Sequence, residues 1–392
     1  MFFNHLFYLL FLLFSLGQLG RISFFAQQIN IYLYEGCFLL ALVVLLGKYG
    51  LKPVRVAYKK FQVVYIFFFY LFISFLFSLT KYKPWENFVA ALYFFRLVLY
   101  FLYFFYLSYH LTKYPDFRKK LRIIFIIFIV LTFIVAVMQY LFYPNLRNLI
   151  YAGWDPHLYR LFGTFFDTSI SGAIYGLIFL TLFLKGNTFS KNKWFLFCLE
   201  TFYLIFVVLS FSRSLYLAFI VCIILYAVVQ RWYKRLLIIL ASFIILLAIV
   251  PKPFGEGVNL RRTFSIQSRI SDYRNALKIW SKSPIFGIGY NRIRYAKVKL
   301  NVIEAVGSDM THSGASFHSS YLIILVSAGI IGLVLFMLVL IRMANLSEFA
   351  GFSLLFLSLI SLSDNILLHP FILFLFFTLL SLSSLSPSRR SE

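Results

Sequence analysis

Three arginines and one histidine are the residues of this 392-residue chain whose types and positions could do chemistry. Arg213 stands in FSRSLYL between two apolar runs, and Arg160 opens RLFGTFFD. Arg269 lies within a long polar interval, Pro251–Phe317, and His318 closes that interval where the next apolar run begins. A planar guanidinium donates two parallel hydrogen bonds to a phosphate, so several converging would hold a diphosphate without a metal. An imidazole, with an ordinary pKa near about 6.5, suits a general base at neutral pH. Plainer roles exist for each. An arginine at a span end can snorkel to lipid headgroups, and a lone histidine at a helix start is more often structural. His312, six residues before His318, is the alternative histidine.

Other chemistries find no support. The chain has no Walker loop, HExxH, GxSxG or CxxC, and the GIG at Gly287–Gly289 is too weak a signal for a nucleotide. No carboxylate pair is spaced for acid/base hydrolysis and no acidic cluster suits a divalent ion, so no metal and no cofactor is expected. Cys37, Cys198 and Cys222 all sit inside apolar runs without metal-ligand spacing and read as small buried hydrophobes.

The elements that must position the arginines and the histidine are membrane helices. Hydrophobic residues make up 62% of the chain and aromatic residues 21%, with mean hydropathy +0.88. A soluble domain holds about half apolar residues, so the composition indicates an all-α polytopic membrane protein. The net charge of +24 would suggest nucleic acid in a soluble protein. Here most basic residues fall in short gaps between apolar runs, where they set topology, so no nucleic acid is expected. The first stretch, MFFNHLFYLLFLLFSLGQLG, lacks a basic n-region and a small-residue cleavage site and reads as an uncleaved first span.

Spans need roughly 20 apolar residues, and twelve are expected. They cover about Phe2–Leu19, Asn30–Leu46, Gln62–Leu79, Asn87–Leu107, Leu121–Phe142 and Thr168–Leu184. The others are about Trp194–Phe211, Ser214–Val229, Leu236–Val250, Ser319–Ile341, Leu346–Leu362 and Ile366–Leu382. With both termini inside, the short basic loops Lys48–Lys60, Thr112–Lys120, Lys185–Lys193 and Arg231–Arg235 are cytoplasmic, as the positive-inside rule requires. The loop 251–317 is then outside. It carries about eleven Lys/Arg against four Asp/Glu, and its length exceeds the roughly 60 residues over which that rule governs. An anionic ligand accounts for the excess charge. Within the bilayer Glu35 and Arg96 are both costly and could pair, in a structural rather than a catalytic role.

Inside the loop, Ser268 is a candidate cap for a helix running to about Lys282 and stopping at Pro284. Its Arg269, Tyr273, Leu277 and Trp280 would share one face along the membrane surface, followed by a turn at the GIG. No internal repeat or appended soluble domain is apparent, so residues 1–392 form one integral membrane domain.

Four stretches in order resemble one family. HSSYLIILVSAGIIG (His318–Gly332) fits H-[NSQ]-x9-G-x-x-G and RSLYL (Arg213–Leu217) fits R-x3-L, both similar to signatures of the O-antigen ligases. RISDYRNALKIWSKSPIFGIG (Arg269–Gly289) resembles the R-x3-W…P-x-x-G-x-G block of the wider O-antigen ligase/polymerase superfamily, with Tyr273 in place of tryptophan. RLFGTFFDTS (Arg160–Ser169) resembles its R-x-x-G-x-F segment, without the usual Pro-Asn. The resemblance implies an inverting, metal-independent glycosyltransferase of the membrane-embedded GT-C type in the bacterial inner membrane. It implies a donor glycan on undecaprenyl diphosphate, at the periplasmic face, and a lipid A–core acceptor. By motif, Arg213 and Arg269, with Arg160 as the weaker match, would grip the donor diphosphate, and His318 would assist the attacking hydroxyl. A polysaccharide polymerase joining lipid-linked repeats stays open. A transporter of the same lipid-linked glycan is less favoured, because the polar residues gather at one face rather than at the midplane.

Overall fold

The computed structural model describes residues 2–251, 258–260, 263–300 and 315–383. It is mostly helical. The helices before the polar interval are α1 (Phe2–Ser15), α2 (Leu33–Tyr49), α3 (Lys52–Lys60), α4 (Gln62–Phe77), α5 (Pro84–Lys113), α6 (Pro115–Phe142), α7 (Thr168–Phe189), α8 (Lys193–Leu209), α9 (Arg213–Gln230) and α10 (Tyr233–Ile249). Within and after it come α11 (Phe264–Trp280), α12 (Ile293–Lys299), α13 (Ser320–Ala344), α14 (Glu348–Ile360) and α15 (Pro370–Ser383). One departure from the all-α expectation is a small antiparallel hairpin, Arg21–Phe24 with Ile29–Tyr32, registered Arg21 to Tyr32 and Phe24 to Ile29. Alternating polar and apolar residues over four positions are too short a signal to betray it in the sequence.

Among the described residues five helices are long and apolar enough to cross a membrane: α5, α6, α7, α9 and α13. The α2–α3 pair, bent by 95°, passes the same test when taken as one span. Helices α1, α4, α14 and α15 are apolar but shorter. A 14-residue helix such as α1 rises about 21 Å, less than the roughly 30 Å of hydrocarbon. Ten of the twelve expected apolar runs contain one of these elements and the other two, Trp194–Phe211 and Leu236–Val250, contain α8 and α10, yet several helices stop short of a full span.

Helices that are apolar all round belong in the interior, and the core follows that rule. The most apolar 18-residue stretch of α7 is 89% buried, and α15 buries every residue from Phe371 to Leu382. Around them Phe11, Phe14, Tyr34, Tyr103 and Phe374 pack as a cluster of rings. The outer surface is apolar instead: Phe69 is 66% exposed and Leu237 67%. Such a surface suits lipid as solvent. Cys222 is buried, Cys37 half-buried and Cys198 exposed on α8, so the expectation of three buried cysteines fails for Cys198, which faces outward.

Helix α13 is broken in its middle. Gly329 has φ +68° and ψ −169°, outside the helical region. The opened backbone is met by the Pro284–Gly289 segment. Ile330 N donates to Pro284 O (2.9 Å), Ile288 N to Val326 O (3.0 Å) and Gly289 N to Ser327 O (2.9 Å). From α4, Ser74 Oγ donates to Phe286 O (2.5 Å) and Ser327 O (2.9 Å), and Tyr70 donates to Ile285 O (2.6 Å). A Cβ at Gly329 would stand 1.9 Å from Ile285 O, and one at Gly287 2.4 Å from Ser327 O. Irregular backbone at such depth survives only when its polar groups are paired. The glycines of both motifs therefore dock the polar interval onto α13.

Candidate active site

Docking of that interval lays α11 across the N-terminus of α13. The sequence expectation started this helix at Ser268; it starts at Phe264, with Thr263 preceding it and no side-chain cap. Ala276 and Ile279 are its buried residues, while Leu277 and Tyr273 are exposed. The buried face thus lies beside the Arg269–Tyr273–Leu277–Trp280 stripe, because Asp272, Ala276 and Ile279 turn toward α13.

Asp272 meets His318 there. Its Oδ2 lies 2.5 Å from His318 Nδ1 and accepts from His318 N at 2.9 Å. Its other oxygen is 3.9 Å from Nζ of Lys297 on α12, and Lys297 donates to Ser316 O (2.5 Å). The hydrogen bond from Asp272 raises the His318 pKa above its ordinary value, against the opposing effect of burial. Burial would raise the Asp272 carboxyl, but its bonds to His318 and the nearby Lys297 hold it below the usual carboxylate range. With Nδ1 directed at a carboxylate, Nε2 is the ring atom left to accept a proton. Hydroxyls of the next two residues anchor the start of α13: Ser319 Oγ donates to Ser361 O (3.0 Å) and Ser320 Oγ to Asn365 Oδ1 (3.1 Å).

Arg269 is held by the loop between α14 and α15. Arg269 donates from Nε to Ser363 O (2.9 Å) and from Nη2 to Asp364 Oδ2 (3.1 Å). Tyr273 donates to Leu362 O (2.6 Å) one helical turn on. Asp364 Oδ2 also accepts from Ser169 Oγ at the start of α7 (3.1 Å) and from Ser214 Oγ at the start of α9 (3.3 Å). Asp364 therefore ties two helix N-termini and Arg269 together, and burial raises its pKa although Arg269 opposes this. Arg213, next to Ser214, donates from Nη1 to Leu260 O (3.2 Å). Arg160 sits deeper, 8% exposed. Its Nε donates to Ser210 O (2.9 Å) and its Nη2 to Phe211 O (3.3 Å), so it braces the α8–α9 turn that presents Arg213.

Arg213, Arg269 and His318 thus come together around Asp364 and Asp272, with Arg160 behind them. His312 lies outside the described residues. The Glu35–Arg96 pairing is met: Arg96 Nε and Nη2 reach the two Glu35 oxygens at 2.7 and 2.8 Å. Sequence reasoning passed over Asp272, Asp364 and Lys297. Asp272 follows Arg269 by one helical turn, and Asp364 stands in a polar break, SLSDN, between two apolar runs; both signals were present. Among the described residues no three His, Cys, Asp or Glu side chains converge as a metal site.

Residues 200–337 match the family model described as O-antigen ligase. That segment contains Arg213, Arg269, Asp272, Lys297 and His318. No curated protein matches the chain.

Proposed function

We infer that this chain, whose residues 200–337 carry the O-antigen ligase family's domain, is a membrane glycosyltransferase of the ligase/polymerase type. The observation that carries the reading is the Asp272–His318 pair at 2.5 Å, inside that segment, beside the ion pair that Arg269 of the same segment makes with Asp364. The donor is a glycan on undecaprenyl diphosphate and the acceptor a lipid A–core, at the periplasmic face of the bacterial inner membrane. The twelve-span, GT-C-type architecture with both termini inside accompanies this reading.

In the reaction the acceptor hydroxyl attacks the anomeric carbon from the side opposite the diphosphate. The carbon–oxygen bond to the diphosphate breaks and the electron pair leaves with it, inverting the centre. His318 Nε2 takes the hydroxyl proton, and Asp272 stabilises the imidazolium through Nδ1–H. Arg213 and Arg269 hold the diphosphate as its charge grows. Ser363 and Asp364 orient Arg269 from the Nε–Nη2 side, so the Nη1 side meets the phosphate. Arg160 acts through the α8–α9 turn rather than by touching the donor.

Single-turnover transfer in nanodiscs tests the assignment. His318→Ala should leave donor affinity close to wild type and slow transfer by roughly 10²–10⁴-fold. Arg213→Lys and Arg269→Lys keep the charge but lose the fork, and should each weaken donor binding or transfer by about ten- to a hundredfold. Wild-type transfer by His318→Ala would overturn the reading. A deletion strain separates the two members of the class: polymerised glycan left on the carrier indicates a ligase, single repeats a polymerase.

A further inference from the structure

A cavity of about 220 Å³ adjoins the site without including its arginine cluster. It meets the site at two stretches of chain. Ser316, two residues before His318, lines it, and so does Asn365, the neighbour of Asp364. Helix α12 contributes both Arg294 to the cavity and Lys297 to the Asp272 pair. One short helix therefore touches the cavity and the partner of the proposed base.

The lining is unusual for a chain so apolar. Five tyrosines and five side-chain amides line the cavity. Several of these groups are held in place. Tyr93 donates to Gln28 O (3.2 Å) and accepts from Asn30 N (3.1 Å). Gln28 Oε1 accepts from Trp85 Nε1 (3.0 Å) and Tyr295 (3.3 Å). The floor is Arg96, locked to Glu35 and 5.2 Å from the Tyr32 ring centroid. Tyr100 closes the network, donating to Glu35 Oε1 (2.7 Å). Because Glu35 compensates Arg96, the cation of the cavity without an ion pair among the described residues is Arg294. A single such cation does not select a diphosphate, and the tyrosines and amides set among aliphatic residues such as Val89, Leu97 and Leu373 make a mixed lining rather than the apolar sleeve of an acyl chain. Aromatic faces set beside amides suit a saccharide, whose ring offers C–H faces on one side and hydroxyls at its edge.

We propose that this cavity is the acceptor subsite, taking a hydroxyl-rich sugar ring and presenting one of its hydroxyls past Ser316 and Asn365 to His318. The proposal rests on the transfer reaction above: the bound sugar supplies the O–H whose proton passes to His318 Nε2 and whose oxygen forms the new glycosidic bond.

Binding measurements on the full chain in nanodiscs test it, with two probes. One is the delipidated core oligosaccharide of the producing bacterium; the other is undecaprenyl diphosphate without glycan. Arg294→Ala and Tyr295→Ala should raise the oligosaccharide Kd by about tenfold or more and leave the carrier Kd within about twofold. Tyr295→Phe, which keeps the ring, should fall between wild type and Tyr295→Ala. The thermal midpoint of each variant, compared with wild type, excludes misfolding as the cause. Three outcomes overturn the proposal: no saturable oligosaccharide binding to wild type, unchanged oligosaccharide binding in the cavity variants, or lost affinity for the carrier instead, which would give the cavity to the donor. Failure of the transfer reading itself shows separately, as carrier binding unchanged by Arg213→Lys and Arg269→Lys. The oligosaccharide measurement then still decides the cavity.

Discussion

Asp272→Asn isolates the histidine's partner with the smallest change of shape. In the native protein Asp272 Oδ2 holds both the ring and the backbone nitrogen of His318, at 2.5 and 2.9 Å. The amide oxygen can still accept one of these, but without charge. Two effects follow. First, the hydrogen bond that raises the His318 pKa against burial loses its anion, so His318 titrates at lower pH. Transfer needs the neutral ring, so the rate is lost as pH falls through the His318 pKa. The acid limb of the kcat profile should therefore move to lower pH in the variant. Second, Nδ1–H is no longer pinned by a carboxylate and the imidazolium formed on proton uptake is no longer stabilised. The plateau rate should fall by roughly 10²–10⁴-fold. Lys297 keeps Ser316 O and the face of Phe317, so the fold should persist. Single-turnover transfer across pH, with the thermal midpoint of each variant, measures both effects. A wild-type plateau with an unmoved acid limb would refute the role of Asp272, and an acid limb moved upward would refute the sign.

Arg160→Lys should weaken transfer although Arg160 is remote from the donor, because two carbonyls of the α8–α9 turn lose their guanidinium; a buried unpaired group costs about 1–3 kcal/mol, readable in the thermal midpoint. Gly329→Ala should destabilise the protein by at least the roughly 1–3 kcal/mol of a strained backbone, since its Cβ would stand 1.9 Å from Ile285 O; size-exclusion profiles of detergent extracts would report it, and a wild-type profile would contradict the break in α13. For topology, Ser281→Cys should react with a membrane-impermeant thiol reagent in spheroplasts of a cysteine-free background, whereas Lys119→Cys should react only after permeabilisation. The reverse pattern would invert the chain in the membrane.

Properties that are local along the chain were legible in the sequence. Apolar runs near the length of a span declare a membrane protein because hydropathy is additive over a helix. Pro284 and the following GIG marked a turn, and the motifs at Arg213, Arg269 and His318 marked the residues proposed to carry the chemistry, whereas the break at Gly329 fell inside what reads as one unbroken span. Even the Glu35–Arg96 pair was anticipated, since two charges in hydrocarbon need one another. Lengths were less secure: α14 stops at Ile360 and α15 starts only at Pro370, because the residues between them form the loop that holds Arg269. What only the tertiary structure decided was partnership. Asp272 is 46 residues from His318, and Asp364 is 95 from Arg269. Those pairs exist because Pro284–Gly289 satisfies the broken backbone of α13 and so carries α11 onto its N-terminus. The same docking sets α12 between the base and the tyrosine-lined cavity. A carboxylate in a basic loop becomes the partner of a particular histidine only when packing removes its other choices.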